Sequence, residues 1–382
     1  MSTAPATAED ADAGELAVAL RSAPFVRVVA AATGDSLAAS GVLVRALRER
    51  STPFQVRVDP TPDPPPGDDD ELVVGLGVGG GDVALTSDDR PASVAAAETA
   101  RELGVEPDPT LALAGVTAAG RPVGDAASLL ESAERHTTVD RRPGVAIPTA
   151  DLADGLAHST LVAAPVSGDH DATRAALDEL GVSADSDDEA RRRLASWLAV
   201  EASASSARAA EAVERVLHPY TTPDGRFATV GGFGDVLDAV ARERPGTGVA
   251  LAIRDAESTR TAVLDAWRTH GRAVHAALSD ATTGRYDGLL VARVEGCGPG
   301  RLGTVARLCR DFRSPEPVVL VVAGEAAATA GTEAVGLGRT MAEAVEAVDV
   351  DGRSTGGSRR ATAQFDDAVD VSRLITAFRE AL

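Results

Sequence analysis

The sequence predicts an α/β protein with two sheet-containing halves joined by helices. Three observations predict it: a strand–helix–strand run from Phe25 to Val58, a renewed alternation of strands and helices from Thr247 onward, and a helix-only stretch between them from Asp171 to Leu217. In the first run, the β-branched Val26, Val28 and Val29 predict a buried strand. Leu37, Val42, Leu43, Ala46 and Leu47 fall at the spacing of an amphipathic helix. This is the opening βαβ unit of a doubly wound parallel sheet. Such sheets bind ligands beyond the carboxyl ends of their strands. The turn from Ala31 to Ser36 is therefore the first candidate site, and it offers one carboxylate, Asp35, and no histidine.

The remaining elements follow in order. Residues 1 to about 20 read as a disordered or helical lead-in, polar and acidic, with little to bury. Asp59 to Glu71, DPTPDPPPGDDDE, has the Pro and Asp content of a solvated loop. Leu72–Gly75 and Asp82–Leu85 are short strands, and GLGVGGG between them holds a formal G-x-G-x-x-G. A dinucleotide fingerprint needs a helix opening at its last glycine, and the strand-like DVALT stands there instead. Ser93–Leu103 reads as a helix behind Pro91, and Leu111–Gly120 as a buried element ending in a turn. His158 lies beside Asp151, Asp154 and Ser159, but a Ser-His-Asp triad is a spatial arrangement, so this stretch reads as a capped turn. In the second half Val249–Ile253, Gly288–Val294 and Val318–Ala323 are the expected strands, with helices between them. The expected organisation is a lead-in (1–20), an N-terminal α/β domain (21–170), a helical connector (171–246) and a smaller C-terminal α/β domain (247–382).

Composition narrows the function classes. The formal charge is -21 over 382 residues, and all 37 basic residues are Arg. A uniformly acidic surface repels nucleic acid, but with 3% aromatics it is also what keeps a protein dissolved in a very salty cytoplasm. We expect the acidity to report a halophilic interior rather than a ligand. Cys297 and Cys309 have no metal-binding spacing. No apolar run of about 18 residues occurs, so the expected location is cytoplasmic, away from membrane.

With the first turn, the second half and the tail side by side, the chain resembles the DHH phosphoesterase superfamily, and within it the archaeal RecJ-like single-strand exonucleases. In that family the first turn carries His-x-Asp-x-Asp-Gly, which binds Mn²⁺; here the aligned residues are Ala31, Thr33, Asp35 and Ser36. The namesake Asp-His-His aligns with Ser87, Asp88, Asp89, Arg90 and Pro91, and a later Gly-Thr-x-Ala-Asp turn with Gly115 to Ala119. In the second half, Gly300 to Gly324 resembles the family's G-x-x-A helix and following strand. STGGSRRATAQFD, Ser354 to Asp366, resembles the Gly-Gly-His loop of its DHHA1-like domain, with Ser358 in the histidine position.

The resemblance implies a DHH-type fold with degenerate motifs. Two metal ions about 4 Å apart need several converging carboxylates and imidazoles, and the implied ligands are only Asp35, a vestigial catalytic position, with Asp88 and Asp89. We therefore expect no resident cofactor, with Mn²⁺ or Mg²⁺ as the metal of the alternative, an active single-strand exonuclease. Nucleic-acid binding is expected of the loop Gly352 to Arg360, through Arg353, Gly356, Gly357, Ser358, Arg359 and Arg360. Arg suits bidentate phosphate contacts, and glycines let backbone N–H groups approach phosphate. The expected role is a non-catalytic subunit that holds single-stranded DNA or RNA beside an active RecJ-like paralogue or another replication, repair or RNA-processing protein.

Overall fold

The computed structural model describes residues 12–86, 90–184, 186–203, 207–254 and 257–382. The chain divides into two compact units, one formed by residues 1–139 and 236–264 and the other by 140–235 and 265–382.

The first unit opens with helix α1 (Ala13–Ser22), whose N-cap Asp12 and Glu15 bond reciprocally to each other's backbone N–H. Strand β1 (Val26–Ala31), helix α2 (Gly34–Glu49) and strand β2 (Phe54–Asp59) are the expected βαβ unit. Strands β3 (Leu72–Leu76) and β4 (Val83–Leu85) complete a sheet of order β2-β1-β3-β4. All three pairings are parallel, with Val26 opposite Phe54 on one side and Leu72 on the other. Helices α3 (Ala92–Glu102), α4 (Pro109–Ala118) and α5 (Ala127–Arg135) follow. Leu37, Leu43 and Leu47 on α2 are buried, as their spacing requires.

The second unit contains the short paired strands β5 (Asp140–Arg141) and β6 (Tyr220–Thr221) and helices α6 (Leu152–His158), α7 (His170–Leu180), α8 (Asp188–Ser203) and α9 (Ala207–Glu214). Helix α10 (Val230–Glu243) carries residues of both units, and α11 (Pro245–Ile253) belongs to the first. Helix α12 (Glu257–Asp280) again contributes to both. Strands β7 (Thr282–Tyr286) and β8 (Leu289–Arg293), helix α13 (Pro299–Phe312), and strands β9 (Val318–Ala323) and β10 (Ala326–Gly331) come next. Helix α14 (Leu337–Glu346), strands β11 (Gly352–Gly356) and β12 (Arg360–Phe365), and helix α15 (Val371–Ala381) end the chain.

The six-stranded sheet runs β11-β12-β10-β9-β8-β7, antiparallel except for the β8–β9 pair. Both faces of its centre are buried, and the alternation along each strand sorts them. Val319, Val321, Ala326, Ala328 and Ala330 join the core formed with α13, while Leu320, Val322 and Ala327 join the core formed with α14 and α15.

Four expectations change. The second half of the lead-in, expected to have little to bury, forms α1 and places Leu16, Ala17 and Leu20 in the core at no more than 1% exposure, because its apolar residues recur at helical spacing. Val249–Ile253, expected as a strand, lies in helix α11. A short apolar run has no periodicity of its own, and Pro245 at the first helical position was the available start signal. The stretch expected as a connector does not stand apart as one: Leu177, Leu194, Leu198 and Val213 lie in the same core as α13 and the C-terminal sheet. Gly352 to Arg360, expected as a loop, is a β-hairpin, because pairing to β12 overrides a Gly- and Ser-rich composition.

Candidate functional site

At the carboxyl end of β1, Thr33 caps α2 and its hydroxyl lies 2.8 Å from that of Ser36. Asp35 is 2% exposed. Its two carboxylate oxygens accept from the backbone N–H groups of Ala92 (2.7 Å) and Ser93 (3.0 Å). Those amides open α3, whose N-cap position is Pro91 and has no side chain to cap with. Asp35 therefore supplies, from 57 residues away, the acceptor that a helix N-terminus needs.

The first N–H of α2 is treated the same way. Gly34 donates to Oδ1 of Asp238 at 3.0 Å, and Asp238 is held by Arg242 one turn further along α10. Space around these groups is closed. A Cβ at Gly34 would meet Ala118 Cβ and the Asp238 backbone nitrogen at 2.7 Å. A Cβ at Gly77, which sits at φ +68°, would meet Ser36 Oγ at 2.1 Å. One at Gly115 would meet the Ser93 side chain at 2.5 Å.

These residues do not fit a two-metal centre. Ala31 has no donor, the Thr33 and Ser36 hydroxyls face each other, and both Asp35 oxygens accept backbone N–H groups. Asp88 and Asp89 lie outside the described residues. The only histidine of this unit, His136, is exposed and faces the carbonyl of Ser132 at 2.8 Å. Among the described residues no group of three or more His, Cys, Asp or Glu side chains is placed to hold a metal ion.

In the other unit the hairpin places Arg353 and Arg359 exposed, and neither forms an ion pair among the described residues. Its glycines serve close backbone packing. The Gly357 N–H donates to the Arg360 carbonyl (2.9 Å), and the Gly357 carbonyl accepts from Gly338 (2.7 Å). The Ser358 carbonyl receives the N–H groups of Val335, Gly336 and Leu337 at 3.1, 3.0 and 3.2 Å, closing the N-terminus of α14. A Cβ at Gly356 would meet the Arg360 carbonyl at 2.4 Å. The expected phosphate cradle of glycine amides is thus largely spent inside the protein.

Sequence reasoning missed a buried polar network in this second unit. Asp235 accepts from the Thr160 hydroxyl (2.6 Å), the Thr160 N–H and the Trp267 indole N–H (2.8 Å), while Arg307 donates to the Thr160 carbonyl. His275 Nε2 lies 2.8 Å from the Ser159 carbonyl, and His270 Nε2 lies 3.1 Å from the Thr304 hydroxyl. Asp151 caps α6, as expected. Asp154 pairs with His158 and is gripped by Arg268 at 2.8 and 3.0 Å, and Ser159 Oγ accepts from Leu161 N–H. No sequence signal gathers these residues, because they come from α6 and the turn after it, α10, α12 and α13, far apart in the chain.

Two of these groups set a pH dependence. Burial lowers the His275 pKa and outweighs the Ser159 hydrogen bond and the attraction of Asp235. For Asp154, burial works to raise the pKa, but the hydrogen bonds from His158 and Arg268 and the charge of Arg268 outweigh it and hold the carboxyl well below its usual range. A buried neutral histidine binds its proton more readily when unfolded, so its contribution is lost as pH falls below about 6.5, while that of Asp154 persists until pH falls below about 4. Denaturant midpoints measured from pH 8 to 3 are expected to fall in two stages, with His275→Gln removing much of the first. A single stage below pH 4 in the native sequence would contradict this.

Comparison with known proteins places the fold. Residues 281–380 match the family model described as the C-terminal domain of uncharacterized protein rrnAC1427. Over 373 residues the chain is 49% identical to the uncharacterized protein rrnAC1427 of Haloarcula marismortui, covering 97% of this chain and 96% of that one. The chain belongs to the rrnAC1427 family. Among solved structures this family member resembles CDC45 from Entamoeba histolytica, with a TM-score of 0.61 at 8% identity over 97% of this chain and 98% of the other. It also resembles RecJ from Thermus thermophilus in complex with Mg²⁺, with a TM-score of 0.51 at 15% identity over 97% of this chain and 51% of RecJ. The rrnAC1427-family chain thus spans about half the length of that RecJ. Its fold is RecJ-like. Among the described residues no helix is long and apolar enough to cross a membrane.

Proposed function

We propose that this protein is a RecJ-like member of the DHH superfamily, of archaeal type, whose metal centre has decayed and which serves as a non-catalytic single-stranded nucleic-acid-binding subunit of a DNA or RNA processing complex. The observation that carries this reading is the double self-capping at the end of β1. Asp35 and Asp238, both inside the first unit, occupy the N-termini of α3 and α2, where a phosphoesterase of this fold needs free ligands and open space. The binding role rests on the Arg-bearing hairpin and on the fold shared with RecJ and CDC45.

Purified protein at high salt, supplied with Mn²⁺ and end-labelled single-stranded DNA or RNA, is expected to leave the strands intact while retarding them in a gel. Metal-dependent cleavage that disappears in Asp35→Ala would establish the alternative, an exonuclease working with Asp35, Asp88 and Asp89. Failure to retain any single strand, even at about 0.1 M salt where phosphate contacts are strong, would remove the binding role.

A further inference from the structure

The sheet of the second unit is covered unevenly. Helix α13 packs on β9 and β10, where Ala326, Ala328 and Ala330 are at most 2% exposed. Beyond them, β12 sends Ala361, Ala363 and Phe365 into the core beneath α14 and α15, so Arg360, Thr362 and Gln364 point to the opposite face, the α13 side. The ladder sets Arg353 opposite Gln364 and Thr355 opposite Thr362, on that same face. Of these five, Arg353 is exposed and the other four are half-buried, and α13, which packs mainly on β9 and β10, also borders β12. At the β10 end of the strip, Gly331 accepts from Arg310 through its carbonyl and donates to the carbonyl of Arg359.

We infer that this partly exposed polar strip, Arg353, Thr355, Arg360, Thr362 and Gln364, is the seat of a single nucleic-acid strand held by its sugar–phosphate backbone, and that the hairpin's turn is not. The inference rests on the proposed binding role and assigns it a surface. In a chain of net charge -21, these five positions combine guanidinium, hydroxyl and amide groups with no carboxylate. That set complements phosphate and ribose oxygens. Without aromatic or large aliphatic side chains, the strip offers neither a base-stacking platform nor an anchor for an apolar protein helix. Its shape matches one backbone. Two adjacent strands lie about 5 Å apart, and the four-residue step from Arg353 to the turn end is about 13 Å long, too narrow for both rails of a duplex. Asp351 and Asp366, joined through their backbones, close the strip at its other end.

The test is fluorescence anisotropy on the full chain, with labelled oligo-dT and oligo-U titrated from about 0.1 M salt upward. Replacing both Arg353 and Arg360 by Ala is expected to weaken binding at least tenfold and to flatten the log–log salt dependence by about 1.4, since each phosphate contact on a single strand contributes about 0.7. Arg353→Ala with Gln364→Ala, a cross-strand pair of which Arg353 is exposed and Gln364 half-buried, is expected to weaken binding as well while leaving the unfolding midpoint nearly unchanged. Arg359→Ala is expected to stay within about twofold of the native sequence. Loss of binding in Arg359→Ala with none in the Arg353 and Gln364 variants would place the contact at the turn and overturn this inference while leaving the binding role intact. Equal affinity for poly-glutamate would overturn the assignment to nucleic acid. Native protein that binds neither oligomer would overturn the binding role itself.

Discussion

Asp35→Ala is expected to lower the unfolding free energy by about 2–4 kcal/mol, read from chemical denaturation at neutral pH, because it leaves two buried backbone N–H groups without an acceptor. The carboxylate is 2% exposed, and no side chain at Pro91 can take its place. Asp35→Asn should fall between, since an amide keeps only one acceptor oxygen and turns an N–H₂ group toward the other donor. The sign matters more than the size. A metal ligand left over from a lost activity would be an uncompensated buried charge, and its removal would leave stability unchanged or increased. Destabilisation identifies Asp35 as a cap, and the opposite result identifies a residue still kept for a ligand. Adding Mn²⁺ to the native protein gives an independent reading, since a metal held only by the folded state raises the unfolding midpoint.

What the sequence disclosed follows the physics of each signal. The β1–α2–β2 unit was legible because β-branched residues and a 3.6-residue apolar period report local structure directly. Strands β10, AAATAG, and β12, RATAQF, were not, because alanine-rich segments have low strand propensity and are fixed only by their ladders to β9 and β11. Asp35 was visible as a residue, but its partners are amides 57 and 58 positions away, and no local pattern encodes that pairing. The glycines at 356 and 357 read as a phosphate loop because glycine is also the residue of close backbone approach, and only the folded structure separates the two uses.

The same limit hid Asp235, which leads to the largest effect expected outside the apolar core. Asp235→Ala is expected to cost about 3–5 kcal/mol, because it strands three donors, the Thr160 hydroxyl, the Thr160 N–H and the Trp267 indole, in a region closed to water. Thr160 is 2% exposed and Trp267 fully buried, so neither can recover its bond from solvent. Trp267→Phe removes one donor while keeping an aromatic ring in the cavity, and should cost less. If the indole–carboxylate bond carries the coupling, the double variant will be less destabilised than the sum of the two singles, a non-additivity of about 0.5–3 kcal/mol for groups in direct contact. Strict additivity would show instead that Trp267 stabilises only by filling space and that Asp235 is held by Thr160 alone. Trp197 and Trp267 are the only tryptophans, so emission from the buried indole offers a second readout in Asp235→Ala, where loss of the carboxylate changes the field at the ring.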